Sequence, residues 1–96
     1  MKKREKIDGF FPACGIYAII NLITGRAYIG QSINIASRWS GHVKELNSGT
    51  HHNKLLQSEW GIYGSKNFSI HIIVRCHPDY LLAEEHTCIK EYKSLG

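Results

Sequence analysis

The sequence predicts a single α+β domain, a small antiparallel sheet with helices in the order β-β-α-α-β-α. Three observations predict it. Residues 16–21 (IYAIIN) and 26–30 (RAYIG) are short runs rich in aromatic and β-branched residues, separated by a turn containing glycine, which is the pattern of a hairpin. Two further segments, 34–49 and 53–64, carry apolar residues at helical spacing between capping residues. Residues 67–76 then alternate with the period of a strand before a last helical stretch.

The chain has 96 residues, 43% of them hydrophobic, which suits one globular domain and excludes a disordered segment. No apolar run approaches the roughly 20 residues of a membrane span, so no membrane association is expected. The basic start, residues 1–12, is read as an extension of the domain. No apolar run or small-residue cleavage site follows it, so it is not read as a signal peptide. Twelve Lys and Arg against eight Asp and Glu leave a formal charge of +4. This fits a polyanionic partner without requiring one. Nothing in the sequence points to a protein partner. Three cysteines without a CxxC pair argue against a disulfide framework and for a reducing compartment such as the cytoplasm. The pairs Cys76-His77 and His86-x-Cys88 lack the spacings of structural zinc sites.

Taking the elements in order, "LITG" at 22–25 supplies the hairpin turn, with Gly25 free to adopt φ > 0. In the next segment Ile35, Trp39, Val43 and Leu46 form an apolar stripe, Asn34 is the N-cap and Gly49 the C′ residue. The second helix starts at the Asn53 cap, buries Leu56, Trp60 and Tyr63, and stops at Gly64. The second GIYG, at 61–64, is therefore a helix end. In the third strand Phe68, Ile70, Ile72 and Val74 are expected on one face, with Ser69, His71, Ile73 and Arg75 on the other. The last helix begins near Pro78 or Asp79 and ends before Gly96.

A four-residue hairpin loop pairs Asn21 with Arg26, and hence Ile19 with Tyr28 and Tyr17 with Gly30. Tyr17 and Tyr28 then share a face as diagonal neighbours about 7–8 Å apart, and Gly30 leaves space beside the Tyr17 ring. They make either a polar aromatic patch or two ordinary strand tyrosines. Arg38 and His42, four apart, share a helix face. They could serve phosphate binding and proton transfer, or be merely solvated. In the last helix the stripe Leu81, Leu82, Cys88, Ile89 and Tyr92 surrounds Glu85, while Glu84 and Glu91 fall to one side. A carboxylate among apolar residues is costly unless paired or bound to metal. Two tyrosines, an arginine, a histidine and one carboxylate, all expected on one sheet surface, are the parts that phosphodiester hydrolysis needs. A single carboxylate implies one largely water-ligated Mg²⁺ or Mn²⁺.

The ordered set GIY at 15–17, YIG at 28–30, SRWSGH at 37–42, HHNKLLQSEWGIYGSKNF at 51–68 and EEHTCIKEY at 84–92 resembles the GIY-YIG endonuclease family. The 51–68 run looks most like its phage and intron-encoded homing branch. The resemblance implies a three-stranded antiparallel sheet flanked by three helices, and metal-dependent cleavage of DNA contacted through its phosphates. It implies Tyr17 as the water-activating base, Tyr28 as a positioning group, Arg38 on the phosphate, His42 in proton transfer and Glu85 on the metal. Gly30, His51 and Asn53 fall on the substrate side. The family usually carries an asparagine in a short segment after the last helix, and homing-type members carry a linker and a downstream DNA-recognition module. Neither is found in these 96 residues, so an isolated catalytic domain with weak, salt-dependent DNA binding is expected. The alternative is a nucleic-acid-binding module that keeps the fold without cleaving.

Overall fold

The computed structural model describes residues 13–95, with side chains to 91. The expected basic extension at 1–12 lies outside the described residues. Strands β1 (Gly15–Asn21) and β2 (Ala27–Ser32) form the hairpin, in the expected register: Ile19 opposite Tyr28 and Tyr17 opposite Gly30. The loop closes as its length requires, with Asn21 N–H donating to the Arg26 carbonyl at 2.9 Å and Gly25 at φ 80°. Strand β2 runs two residues past the expected end at 30. Strand β3 (Phe68–Arg75) pairs antiparallel with β1, giving the order β2-β1-β3. The central strand β1 is therefore covered on both faces and is buried almost throughout. β2 is left as an edge.

Helix α1 (Ile35–Ser48) starts where Asn34 Oδ1 accepts the Ser37 N–H at 3.1 Å and ends at Gly49, φ 78°. Helix α2 (Lys54–Tyr63) starts where Asn53 Oδ1 accepts the Leu56 N–H at 3.0 Å and ends at Gly64. Both pairs of caps are those expected. The two helices cover one sheet face, where Tyr17, Ile19, Ile35, Leu46, Leu56, Trp60 and Phe68 form the larger core, with Trp39, Val43 and Tyr63 packed against it. Helix α3 (Leu81–Leu95) covers the other face over a smaller cluster, Ile16, Leu81 and Cys88, flanked by Ile29, Ile73 and Val74. The cysteines are free thiols.

Three expectations change. The alternation of β3 is interrupted: Tyr17 pairs with Ile72 but Ile16 with Val74. Ile73 is the extra residue of a bulge, and an extra residue reverses the facing of everything beyond it. Phe68, Ile70 and Ile72 thus join the larger core, while Val74 joins Ile73 beneath α3. Secondly, α3 begins at Leu81, after a 3₁₀ turn Pro78–Tyr80, and Leu82 is 77% exposed. Leu82 is not part of the buried stripe, Ile89 and Glu85 are only half-buried, and the Tyr92 side chain lies outside the described ones. Thirdly, the deeply buried carboxylate is Glu59, 7% exposed. It accepts from Asn21 Nδ2 and from Arg26 Nε, each at 2.8 Å, tying α2 to the hairpin turn.

The bulged stretch also explains Gly15. A Cβ there would stand 2.1 Å from the Val74 carbonyl oxygen, a backbone atom that no rotamer change can move. Gly15→Ala is expected to destabilise the domain by about 1–3 kcal/mol, at the upper end because backbone must shift. Each kcal/mol lowers Tm by roughly 4–8 °C in a domain this size. Gly61→Ala, on the exposed face of α2 with nothing within 4 Å of the added carbon, is expected to hold or raise Tm through helix propensity. Thermal unfolding of the two variants side by side checks both, and equal Tm values would contradict the reading.

Candidate active site

A cleft of about 220 Å³ opens at the β2 edge, and Tyr17, Tyr28, Gly30, Arg38, His42, His51, Asn53 and Glu85 all line it. The site residues expected from the sequence thus all reach one place, although they come from five parts of the fold. Strand β1 supplies Tyr17, β2 supplies Tyr28 and Gly30, α1 supplies Arg38 and His42, and the α1–α2 connection supplies His51 and the Asn53 cap. Glu85 comes from α3, on the opposite side of the sheet, which corrects the expectation that all would face one sheet surface. It reaches the cleft around the edge strand, where Gln31 Nε2 donates to Glu85 Oε1. Side chains alternate along β2, so Gly30 faces α1 and Gln31 faces α3.

The Tyr17 ring lies across β2. A Cβ on Gly30 would stand 2.4 Å from both Cζ and Oη of Tyr17, so only glycine admits the ring in this position. Tyr17 is 3% exposed and His42 5%, and Tyr17 Oη lies 2.7 Å from His42 Nε2. On the far side of that imidazole, His42 Nδ1 lies 2.7 Å from His51 Nε2. His51 Nδ1 accepts the Asn53 backbone N–H at 3.0 Å. The backbone of His51 is itself fixed, its N–H donating to Gln57 Oε1 at 3.0 Å while Gln57 Nε2 donates to the Leu46 carbonyl at 2.9 Å. The buried line from Tyr17 to the start of α2 therefore has a partner at each joint.

Burial sets the ionisation of these groups. It raises the Tyr17 pKa above 10.0; the Arg38 guanidinium opposes that rise and the Glu85 charge adds to it. The Tyr28 pKa is also raised, first by burial and then by the Glu59 carboxylate; its Oη is buried without a hydrogen-bond partner. Both phenols are neutral near pH 7. Burial, with Arg38, His51 and His52 nearby, lowers His42 from 6.5 to about 4. Burial and His52 lower His51 as well. Both imidazoles are thus neutral near pH 7.

Two places can be tested for a divalent ion. Glu85 offers a half-buried carboxylate at the polar cleft, held on one oxygen by an amide. That is the hard oxygen donor that Mg²⁺ or Mn²⁺ takes alongside water, so the residues fit the ion. Among the described residues His42, Glu45 and His51 also bring ligand atoms within 4.8 Å of one another. There the donors are mainly imidazole nitrogens, which suit Zn²⁺ or Cu²⁺ better than Mg²⁺, and those nitrogens already bond one another, Tyr17 and Asn53. Neither the Cys76-His77 nor the His86-x-Cys88 pair forms such a group.

Sequence reasoning missed Gln31 and His52, which line the cleft, and Glu59 beneath Tyr28. Alternation along β2 carried a signal for Gln31, since it stands next to Gly30 and so faces the other way. Glu59 carried one too: it is three residues after Leu56 and one before Trp60, on the stripe of its helix.

The sequence and the fold are both similar to those of known proteins. The family model described as the GIY-YIG catalytic domain matches residues 13–95. Intron-associated endonuclease 1 of Enterobacteria phage T4 is 30% identical over 82 residues, 83% of this chain and 33% of that protein. The chain spans about a third of the length of that curated relative. Among solved structures, the catalytic domain of intron endonuclease I-TevI, in a glutamate-to-alanine mutant form, superposes with a TM-score of 0.76 at 28% identity, covering 82% of each chain. A second structure, of the catalytic domain of homing endonuclease I-TevI, gives 0.74 at 29% identity, covering 81% of this chain and 86% of that one.

Proposed function

The chain belongs to the GIY-YIG family, and from that premise we propose that it is the catalytic domain of a DNA endonuclease that hydrolyses phosphodiester bonds in the cleft at the β2 edge. The observation that carries the reading is the cleft itself, where a buried tyrosine, an arginine and a carboxylate from three different elements line one small space.

Arg38 binds the scissile phosphate, its planar fork matching two phosphate oxygens, and opposes the charge that grows on them in the transition state. Tyr17 removes the proton from the attacking water. With Tyr17 in its phenolate form, the water oxygen bonds to phosphorus as the bond from phosphorus to the departing nucleoside oxygen breaks; the water proton ends on Tyr17 Oη, and the departing oxygen takes a proton from solvent at the open cleft. His42 backs Tyr17 from behind. Glu85 would hold one Mg²⁺ or Mn²⁺, which when bound supplies positive charge beside the phosphate and the leaving oxygen. Gly30 keeps the floor open, and His51 and Asn53 border the substrate side. DNA is held mainly through its phosphates, so binding weakens as salt rises.

Incubating supercoiled plasmid with the protein and Mg²⁺ or Mn²⁺ tests this. Nicking that stops when a chelator is added is the expected result. Salt-dependent DNA binding with no nicking in either metal would instead identify a non-cleaving module that keeps the fold.

The rate should also depend on pH in one direction. The base must be unprotonated and its pKa is raised by burial, so the rate is expected to climb from about pH 6 through pH 9 or beyond. No break is expected near 6.5, because His42 stays neutral down to about 4. A profile that is flat from about pH 6 to 10 would exclude Tyr17 as the titrating base.

A further inference from the structure

We propose that the Asn53 backbone amide fixes the direction of hydrogen bonding along His51 and His42, so that His42 presents an N–H to Tyr17 Oη and holds a phenolate there, rather than receiving the Tyr17 proton. This makes His51, and the amide that precedes α2, positioning elements for the base. The inference rests on the reading of Tyr17 as the water-activating group.

The direction follows from counting protons. A backbone N–H is a donor that cannot exchange roles. His51 Nδ1 faces it at 3.0 Å, so that nitrogen must present its lone pair. A neutral imidazole carries one hydrogen, which therefore sits on His51 Nε2. His51 Nε2 lies 2.7 Å from His42 Nδ1, so Nδ1 accepts and the single hydrogen of His42 is on Nε2. His42 Nε2 lies 2.7 Å from Tyr17 Oη and donates to it. Each joint is set by the one before. Shuttling the Tyr17 proton into His42 would place a second hydrogen on Nε2, or turn an N–H of His51 against the N–H of Asn53. The line ends on a group that can neither rotate nor give up its proton, so it does not run backwards.

The surroundings keep both rings neutral. His42 and His51 are 5% exposed each; Arg38 and His52 lie close enough to disfavour a further positive charge, and Glu45 is the one nearby carboxylate that favours it, at His51. Glu45 Oε1 stands 4.0 Å from His51 Nε2, beyond hydrogen-bond reach, and is buried without a partner. The same proton count bears on the His42, Glu45 and His51 group as an ion site. A nitrogen that carries hydrogen has no lone pair for a metal, so His51 Nε2 is a donor and not a ligand.

The chemical result is that Tyr17 Oη receives an N–H from behind. Its own proton leaves on the cleft side, where Arg38 and the phosphate stand. A neutral donor that is fixed in place favours the phenolate over the phenol, and it partly offsets the burial that opposes ionisation.

Long-range ¹H–¹⁵N correlation on histidine-labelled wild-type protein at pH 7, without DNA, reads the tautomers directly. Both His42 and His51 are expected to carry their hydrogen on Nε2. A hydrogen on Nδ1 of His42 would overturn the proposal, as would a doubly protonated His42. Variants add a second measurement, following the Tyr17 ring carbon through its titration. His51→Phe keeps a flat ring but donates nothing to His42, and the Tyr17 midpoint should move upward, with the alkaline limb of the nicking rate moving with it. His51→Gln places a side-chain amide near the same point and should bring both back toward wild type. Unmoved midpoints in a folded His51→Phe protein would reduce His51 to a packing residue; if that variant does not fold, the wild-type tautomers decide. Absence of nicking with both tautomers as expected would instead remove the endonuclease reading and leave the fixed line standing.

Discussion

Glu85→Ala is expected to lower the metal-dependent nicking rate by about 10³-fold or more while leaving the fold intact. A bound divalent ion is worth several kcal/mol of transition-state stabilisation, and each 1.36 kcal/mol is about tenfold in rate. Glu85 is the carboxylate that lines the cleft. It is half-buried, and its neighbours Leu81 and Cys88, not Glu85 itself, fill the cluster beneath α3. Its removal should therefore change stability by no more than about 0.5 kcal/mol, the range of an ordinary surface change. Glu85→Gln should behave like Glu85→Ala, because it keeps the volume and loses the charge. Glu84→Ala, one position around the helix and away from the cleft, serves as the control and should nick normally. Wild-type rates in Glu85→Ala under saturating Mg²⁺ would rule out this carboxylate as the ion's anchor.

Arg38→Ala is expected to cost about 10²–10³ in kcat, the usual consequence of deleting one preorganised donor to developing charge. A second effect separates it from a plain loss of substrate binding. The guanidinium also opposes the rise in the Tyr17 pKa that burial causes. Without it the phenol should ionise at still higher pH, and the alkaline limb should shift upward as well as fall. Arg38→Lys keeps a charge but not the fork, so it should recover the position of the limb more fully than the rate. A decrease confined to KM, with an unchanged pH profile, would reassign Arg38 to binding alone.

Much of this was legible in the sequence because it depends on near neighbours. The hairpin register follows from loop length, and it placed Tyr17 opposite Gly30 before any long-range contact was known. The caps at Asn34, Gly49, Asn53 and Gly64 follow from local chemistry. What was hidden depends on partners far along the chain. The Ile73 bulge belongs to the pairing of β3 with β1 and has no signature within the strand. The exposure of Leu82 follows from how α3 is rotated on the sheet after its 3₁₀ start. Of the apolar neighbours that single out Glu85 in the sequence only Leu81 and Cys88 are buried, while the more deeply buried Glu59 finds its partners 33 and 38 positions away, in the hairpin turn. That Gln31 meets Glu85 across 54 positions was equally invisible. So was the line from Tyr17 to Asn53, since histidines at 42 and 51 say nothing of their ring directions until two helices bring them together.

The arrival of Glu85 from beyond the edge strand has a consequence for how such a domain diverges. The candidate site residues ride on two layers on opposite faces of the sheet and come together around the β2 edge, and the spacing between those layers depends on the small cluster of Ile16, Leu81 and Cys88. Trimming a methyl group there would leave every reacting side chain unchanged and still alter the distance between them. On the proposed function, selection for cutting DNA would then be felt as selection on hydrophobic residues that never meet it, and drift under α3 would abolish cleavage well before it unfolded the protein.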